Sequence, residues 1–483
     1  MFTDVLLGSD PMRHDAIVIG SDEAACAAAL EGSKHGLDIL LIDDGSLSPD
    51  NLARRRSLPM HQLREAIVRC VGFYQMFDKR SAAILLHDVH LNALAKQTQD
   101  VAESQSRLLS HRLASNSVCV VPGPATLLSD NRVLVGRGDV REAPIIVVAC
   151  GSRPRQPGRF SLDGRVVCDQ RSIVHFEQMP RSLLTVGAEI VGCEFACLFA
   201  AVGTNVTLLD RRDRMLRYVD RDIIEILHRR MRVLGIDVVL HETIEALDVD
   251  DRSSEPHAVA RLGSGRIEKF ERVLFAAGES SNADTLGIAE KEIEIDDLGF
   301  IVTDNHFCTS RKGVYAVGGA ISGARIGAGP QHGRAAMQHA MGIQSEVTSD
   351  WPITIYSIPE ISMVGLTQEM CEHLEIPHVV GRARFEDLLG GQIRGDHEGM
   401  LKLVVNRQNR QLLGVHLIGS YAGELVQVGA SILRQGESVD VLANGAFSDS
   451  SLSEAYRNAA IDCLDRLDIA SRRRALECRL PTD

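Results

Sequence analysis

Two short glycine-opened loops carry the residues best suited to chemistry. Gly20-Ser21-Asp22-Glu23-Ala24-Ala25 precedes Asp43, and Gly187-Ala188-Glu189-Ile190-Val191-Gly192 precedes Asp210. In a dinucleotide site the first glycine makes the tight turn and the second lets the backbone approach the pyrophosphate. A small third residue packs helix on strand, and an acid about twenty residues on binds a ribose hydroxyl. Gly20, Ala25, Gly187 and Gly192 meet the first and third requirements, and Asp43 and Asp210 the last. The middle positions hold Asp22 and Glu189 instead. Two unit charges about 4 Å apart at an effective dielectric near 20 repel by about 4 kcal/mol, roughly three decades of affinity. Protonation or a bound cation would relieve part of that repulsion, and such acids would suit a cationic or hydroxyl-rich ligand. Beyond Asp210, a free ribose and hence NAD is favoured by the acid, whereas Arg211, Arg212 and Arg214 suit the 2′-phosphate of NADP. A solvated basic turn is the simpler reading of those arginines.

The elements that must position these loops repeat. Positions 15–43 recur as 182–210: Gly20 maps to Gly187, Ala25 to Gly192, Gly36 to Gly203 and Asp43 to Asp210. Each copy runs from a β-branched apolar stretch through a glycine into an apolar helix, then through a second glycine into a strand ending in Asp. That is a strand-helix-strand unit of the dinucleotide-binding kind, present twice. The long helical stretch from Ala82 to Leu113 reads as an excursion from the first sheet.

At 483 residues the chain has room for roughly three domains. A net charge of −13 argues against nucleic acid or an anionic membrane as the main partner and leaves small molecules or proteins. Apolar runs such as Ile145 to Ala149 are strand-sized, and the first twelve residues lack a signal-peptide pattern, so a cytoplasmic, membrane-free protein is expected. The 11 cysteines form no CxxC pair or zinc-ligand spacing, and most read as buried thiols, including Cys193 and Cys197 on one helix. No GxSxG frame accompanies any serine, and neither a catalytic nor a metal-ligating set is assigned.

Several segments resemble the FAD-dependent pyridine nucleotide-disulfide oxidoreductases, and within them the soluble pyridine nucleotide transhydrogenases. Ala149-Cys150-Gly151-Ser152-Arg153-Pro154 is similar to that family's ATGSxP, and Val314-Tyr315-Ala316-Val317-Gly318 to its IYAVGD. Ile358-Pro359-Glu360-Ile361-Ser362 resembles the opening of its interface domain, continued by Gly414-Val415-His416 and Glu454-Ala455-Tyr456-Arg457. The resemblance implies an α/β fold with two Rossmann-like domains, FAD- and NAD(P)-type, and a C-terminal α+β dimerisation domain. The expected division is 1–155 and 279–345 for the FAD-type domain, 156–278 for the NAD(P)-type domain, and 346–483 for the third. Gly151, Gly278 and Gly318 join Gly20, Asp43, Gly187, Gly192 and Asp210 as the implied cofactor contacts.

Other positions depart from that pattern. The family's flavin-contacting VGD aspartate corresponds to Gly319, its two redox cysteines to Leu52 and Ser57, and its His-Pro-Thr stretch to Asp449-Ser450-Ser451. Ser48-Pro49-Asp50-Asn51 and Arg54-Arg55-Arg56, replacing the glycines before the redox helix, read as a flexible basic loop. Disulfide reduction is thereby excluded more firmly than transhydrogenation, which needs no dithiol. The leading expectation is a non-catalytic member of the family, with little or no FAD and NAD(P), that serves as a homodimeric scaffold or ligand sensor. The other is an active flavoprotein passing hydride between NADPH and NAD.

Overall fold

The computed structural model describes residues 11–54, 61–68, 91–128, 131–174, 178–250, 252–288, 293–323, 328–344 and 351–477. Its first sheet is parallel throughout, in the order Val314–Ala316, Ile145–Val148, Ala16–Ile19, Ile39–Asp43, Cys119–Pro122. The inner strands are runs of Ile, Val and Leu, as expected of a parallel sheet buried on both faces, and they share one core with strands Ala125–Leu127 and Arg132–Val135. Helix Glu23–Lys34 is rich in alanine, which lets it lie close to helix Gly329–Ala340. Their separation leaves no room for a Cβ at Gly333, which would fall 2.0 Å from the Ala24 carbonyl oxygen. Of the helical stretch expected from Ala82 to Leu113, helix Leu91–Ser115 is the described part, and it lies between Ile39–Asp43 and Cys119–Pro122, while residues 82–90 lie outside the described residues.

The second sheet repeats the first. Its order is Val167–Cys168, Arg272–Phe275, Ser182–Val186, Asn205–Asp210, Asp237–Leu240, again all parallel. The third domain is a five-stranded antiparallel sheet, Ile353–Ile355, Ile361–Gly365, Leu412–Ile418, Met400–Asn406, His378–Arg384. Helices Ala422–Arg434 and Glu454–Glu477 pack on it. Tyr456, fully buried, donates its hydroxyl to Leu425 O at 2.7 Å and accepts from Gly429 N at 3.1 Å, joining the two helices.

Charges fasten the second domain to the third. Lys402, on the sheet and 1% exposed, donates to Asp220 Oδ1 and Asp222 Oδ2, both at 2.8 Å, and to Gln368 Oε1 at 2.9 Å. Arg382 adds two bonds to Asp222, at 2.9 and 2.6 Å. Asp220 also caps helix Arg221–Val233, so one buried carboxylate sets both a helix start and a domain contact.

One stretch differs from the sequence reading. Residues expected as a flexible basic loop begin with helix Pro49–Arg54. Ser48 Oγ accepts from Asn51 N at 3.3 Å, Pro49 stands at the first helical position and Asp50 in the first turn, a combination that starts helices. Leu52 lies on this helix, whereas Ser57 lies outside the described residues.

Candidate functional site

The C-terminal ends of both parallel sheets open onto one cleft of about 1390 Å³, larger than the roughly 300–1,000 Å³ of an ordinary small-molecule pocket. Ligands of open α/β sheets bind at such strand ends. Ser21 and Asp22 follow the first sheet's central strand, Ala149 to Ser152 follow its neighbour, and Gly319 follows its edge strand. Glu189, Ala276, Gly278 and Glu279 come from the second sheet and the segments after it, and Thr354 and Tyr356 from the first strand of the third domain and the turn after it. Gly151 and Gly278, assigned as cofactor contacts, line this cleft.

The two glycine turns are superposable in kind. Gly20 and Gly187 both have φ +109°, a conformation costly for a side chain. A Cβ at Gly20 would lie 2.1 Å from Ala149 O, and one at Gly187 would lie 2.5 Å from Ala276 O. Gly192 approaches the Gly187 carbonyl closely, and Ala25 occupies the corresponding buried place. Asp43 Oδ1 accepts from the Ser21 hydroxyl and from Gly45 N at 2.9 Å. Asp210 repeats this: Oδ1 accepts from Arg212 N at 2.9 Å and Oδ2 from Ala188 N at 2.6 Å. Both acids therefore hold together the turns that surround them.

The middle loop positions diverge. Asp22 has extended backbone and caps helix Glu23–Lys34, its Oδ1 accepting from Ala25 N at 2.9 Å. Its other oxygen faces Gly318, the assigned contact on the returning segment, where a Cβ would lie 3.3 Å away. Glu189 occupies the corresponding N-cap position of helix Ile190–Ala201 but makes no side-chain cap. Its longer side chain suits capping poorly, and Oε1 instead receives Arg212 Nη1. Arg212 also grips Asp210 through Nε at 2.9 Å and Nη2 at 2.6 Å. Burial pushes the Glu189 carboxyl up by more than Arg212 pulls it down. Burial acts upward on Asp210 too, but hydrogen bonds from Arg212 and from the Ala188 and Arg212 backbone hold it below its usual value.

Three features of this site escaped the sequence reading. Arg212 is the bridge of a Glu189–Arg212–Asp210 chain, and Arg214 donates to Val219 O at 2.7 Å, so neither simply dangles in solvent. Second, Glu279 accepts from Ser152 Oγ at 2.5 Å and from Gln170 Nε2 at 2.8 Å beside Gly319. A Cβ at Gly319 would lie 3.0 Å from that Ser152 Oγ, so Ser152 stands against the position of the missing aspartate. Glu194, 1% exposed on an otherwise apolar helix, accepts from Tyr356 N at 2.9 Å; its isolation among apolar neighbours was the available signal.

Among the described residues the cleft's lining is acidic: Asp22, Glu23, Asp44, Asp163, Asp169, Glu189, Glu194 and Glu279 stand against one arginine, Arg171. Asp163 and Asp169 are committed to turns, each accepting from backbone N–H groups. Cys150 lines the cleft; burial pushes its thiol up to about 12, against a hydrogen bond with Ser281, so it stays protonated at neutral pH. Among the described residues no group of three or more His, Cys, Asp or Glu forms a metal site, and no helix is long and apolar enough to cross a membrane.

Fold and cleft together define a protein with two dinucleotide-type domains meeting at one site and a third domain beside it. Residues 14–340 match the family described as pyridine nucleotide-disulphide oxidoreductase, and residues 351–460 match its dimerisation domain. The chain belongs to that family, which is FAD- and NAD(P)-dependent. It is 33% identical over 463 residues to a soluble pyridine nucleotide transhydrogenase of Mycobacterium tuberculosis, covering 94% of this chain and 98% of that one. A protein of the same description from Hahella chejuensis is 30% identical over 476 residues, covering 94% and 99%. The solved structure of LpdA from Mycobacterium tuberculosis superposes with a TM-score of 0.82 at 21% identity, covering 93% of this chain and 99% of that one. The HOCl-induced flavoprotein disulfide reductase RclA from Escherichia coli gives 0.78 at 19% identity, covering 92% and 99%. These two structural likenesses speak for the fold.

Proposed function

We propose that this chain is a non-catalytic member of the family: a homodimeric scaffold or ligand sensor that does not hold FAD and NAD(P) in the family's manner. The observation that carries this reading is Asp22, whose carboxylate takes the helix end where a pyrophosphate would be received. Glu189 at the second loop, Gly319 in place of the flavin-contacting aspartate, and Leu52 at the first redox-cysteine position point the same way. The residues present do not fit the family's dinucleotides, so no hydride-transfer step is drawn through them. The matched dimerisation domain supports the homodimer, and exposed Leu389, Ile393 and Tyr421 on that domain are apolar surface for a partner to cover.

A second reading, an active transhydrogenase-like flavoprotein, is favoured by the 30–33% identity to soluble transhydrogenases over nearly the whole chain. One purified sample separates the two. Light scattering at twice the 52.7 kDa chain mass, with no flavin band in the visible spectrum, supports the first reading. One equivalent of bound flavin per chain overturns it.

A further inference from the structure

We propose that Asp22 itself closes the first dinucleotide site, supplying from within the chain the negative charge that a dinucleotide phosphate brings to such a helix end. The proposal rests on the cofactor-free reading above and assigns its cause to one residue. One Asp22 oxygen takes the Ala25 N–H at 2.9 Å. The other lies against Gly318, within 3.3 Å of where a Cβ would stand. The carboxylate thus sits where the first helix meets the returning chain segment, satisfying a helix end and barring an external anion at once.

The internal repeat supplies a control. Glu189 holds the corresponding place in the second copy with similarly extended backbone, yet it caps nothing and pairs with Arg212. An acid at this position therefore does not fill the helix end by default. Capping reflects the shorter reach of Asp, which ranks among the best N-cap residues.

The test is thermal unfolding of the full chain, alone and with ADP or FAD, for wild type, Asp22→Ala, Asp22→Asn and Asp22→Gly. The wild-type midpoint should not move with either nucleotide. Asp22→Asn, which keeps a capping oxygen, should melt close to wild type, and Asp22→Ala should melt about 1–2 °C lower. Asp22→Gly should bind FAD about a thousandfold more tightly than wild type, and its midpoint should rise with ADP or FAD. Equal melting of the Ala and Asn variants, or no gain in nucleotide affinity by Asp22→Gly, overturns the inference. Flavin that copurifies with wild type instead defeats the reading on which it rests, so the two failures are distinguishable. If Asp22→Gly does not fold, Asp22→Ala, which also removes the carboxylate, decides by whether its midpoint rises with ADP or FAD where that of wild type does not.

Discussion

Replacing Lys402 by Met should loosen the second domain from the third. The ammonium is 1% exposed and lies 2.8 Å from Asp220 Oδ1, whose side chain is fully buried. At that distance and an effective dielectric of about 20, the pair attracts by about 6 kcal/mol, against a desolvation penalty of several kcal/mol per ion. The net worth of the pair is therefore small, but removal of one partner strands the other. Asp222, a third exposed and still held by Arg382, can turn to water, whereas Asp220 cannot. Lys402→Met should then cost about 3–5 kcal/mol, the range for breaking a buried pair. Urea unfolding followed by circular dichroism measures it, and adding Asp220→Asn should restore part of the loss. A loss below about 1 kcal/mol, or a double variant less stable than Lys402→Met alone, would refute the reasoning.

A close backbone approach and a depressed carboxyl each carry a further expected outcome. Gly192→Ala should destabilise by about 1–3 kcal/mol or more in urea unfolding, because its Cβ would lie 1.7 Å from the Gly187 carbonyl oxygen, a backbone atom with no rotamer to yield. Acid should weaken the domain contact. Burial raises Asp222, but bonds from Lys402 and Arg382 outweigh it and hold the carboxyl below its usual value. A depressed carboxyl stabilises the folded state above its unfolded pKa of about 3.9 and loses that contribution as pH falls through its folded pKa. Melting midpoints should thus fall below about pH 4, and less so in Asp222→Asn.

Much of the fold was legible because it is written twice. The repeat placed Gly20 and Gly187 in equivalent turns, and both have the same φ of +109°. It also placed Asp43 and Asp210 at equivalent strand ends, where each binds the same two backbone positions or their side-chain substitute. The middle acids were legible as a conflict with phosphate, but not how each resolves it. Capping by Asp22 and pairing of Glu189 with Arg212 depend on side-chain length and on a neighbour from another strand end. Long-range polar contacts left little trace: Lys402 sits in a strand pattern, and nothing local ties it to Asp220. Likewise Ser152, Gln170 and Glu279 converge only when strands distant in sequence are brought to one rim. The Pro49–Arg54 helix was missed because its serine and proline were read as loop signals, although at these positions they start a helix.

The central claim concerns occupancy of the first site. Its most direct measurement is the flavin content of the purified wild-type chain, followed by equilibrium titration with FAD. Far less than one equivalent is expected on purification, with an affinity about a thousandfold below that of Asp22→Gly. One equivalent of tightly held FAD in the wild-type protein would contradict it.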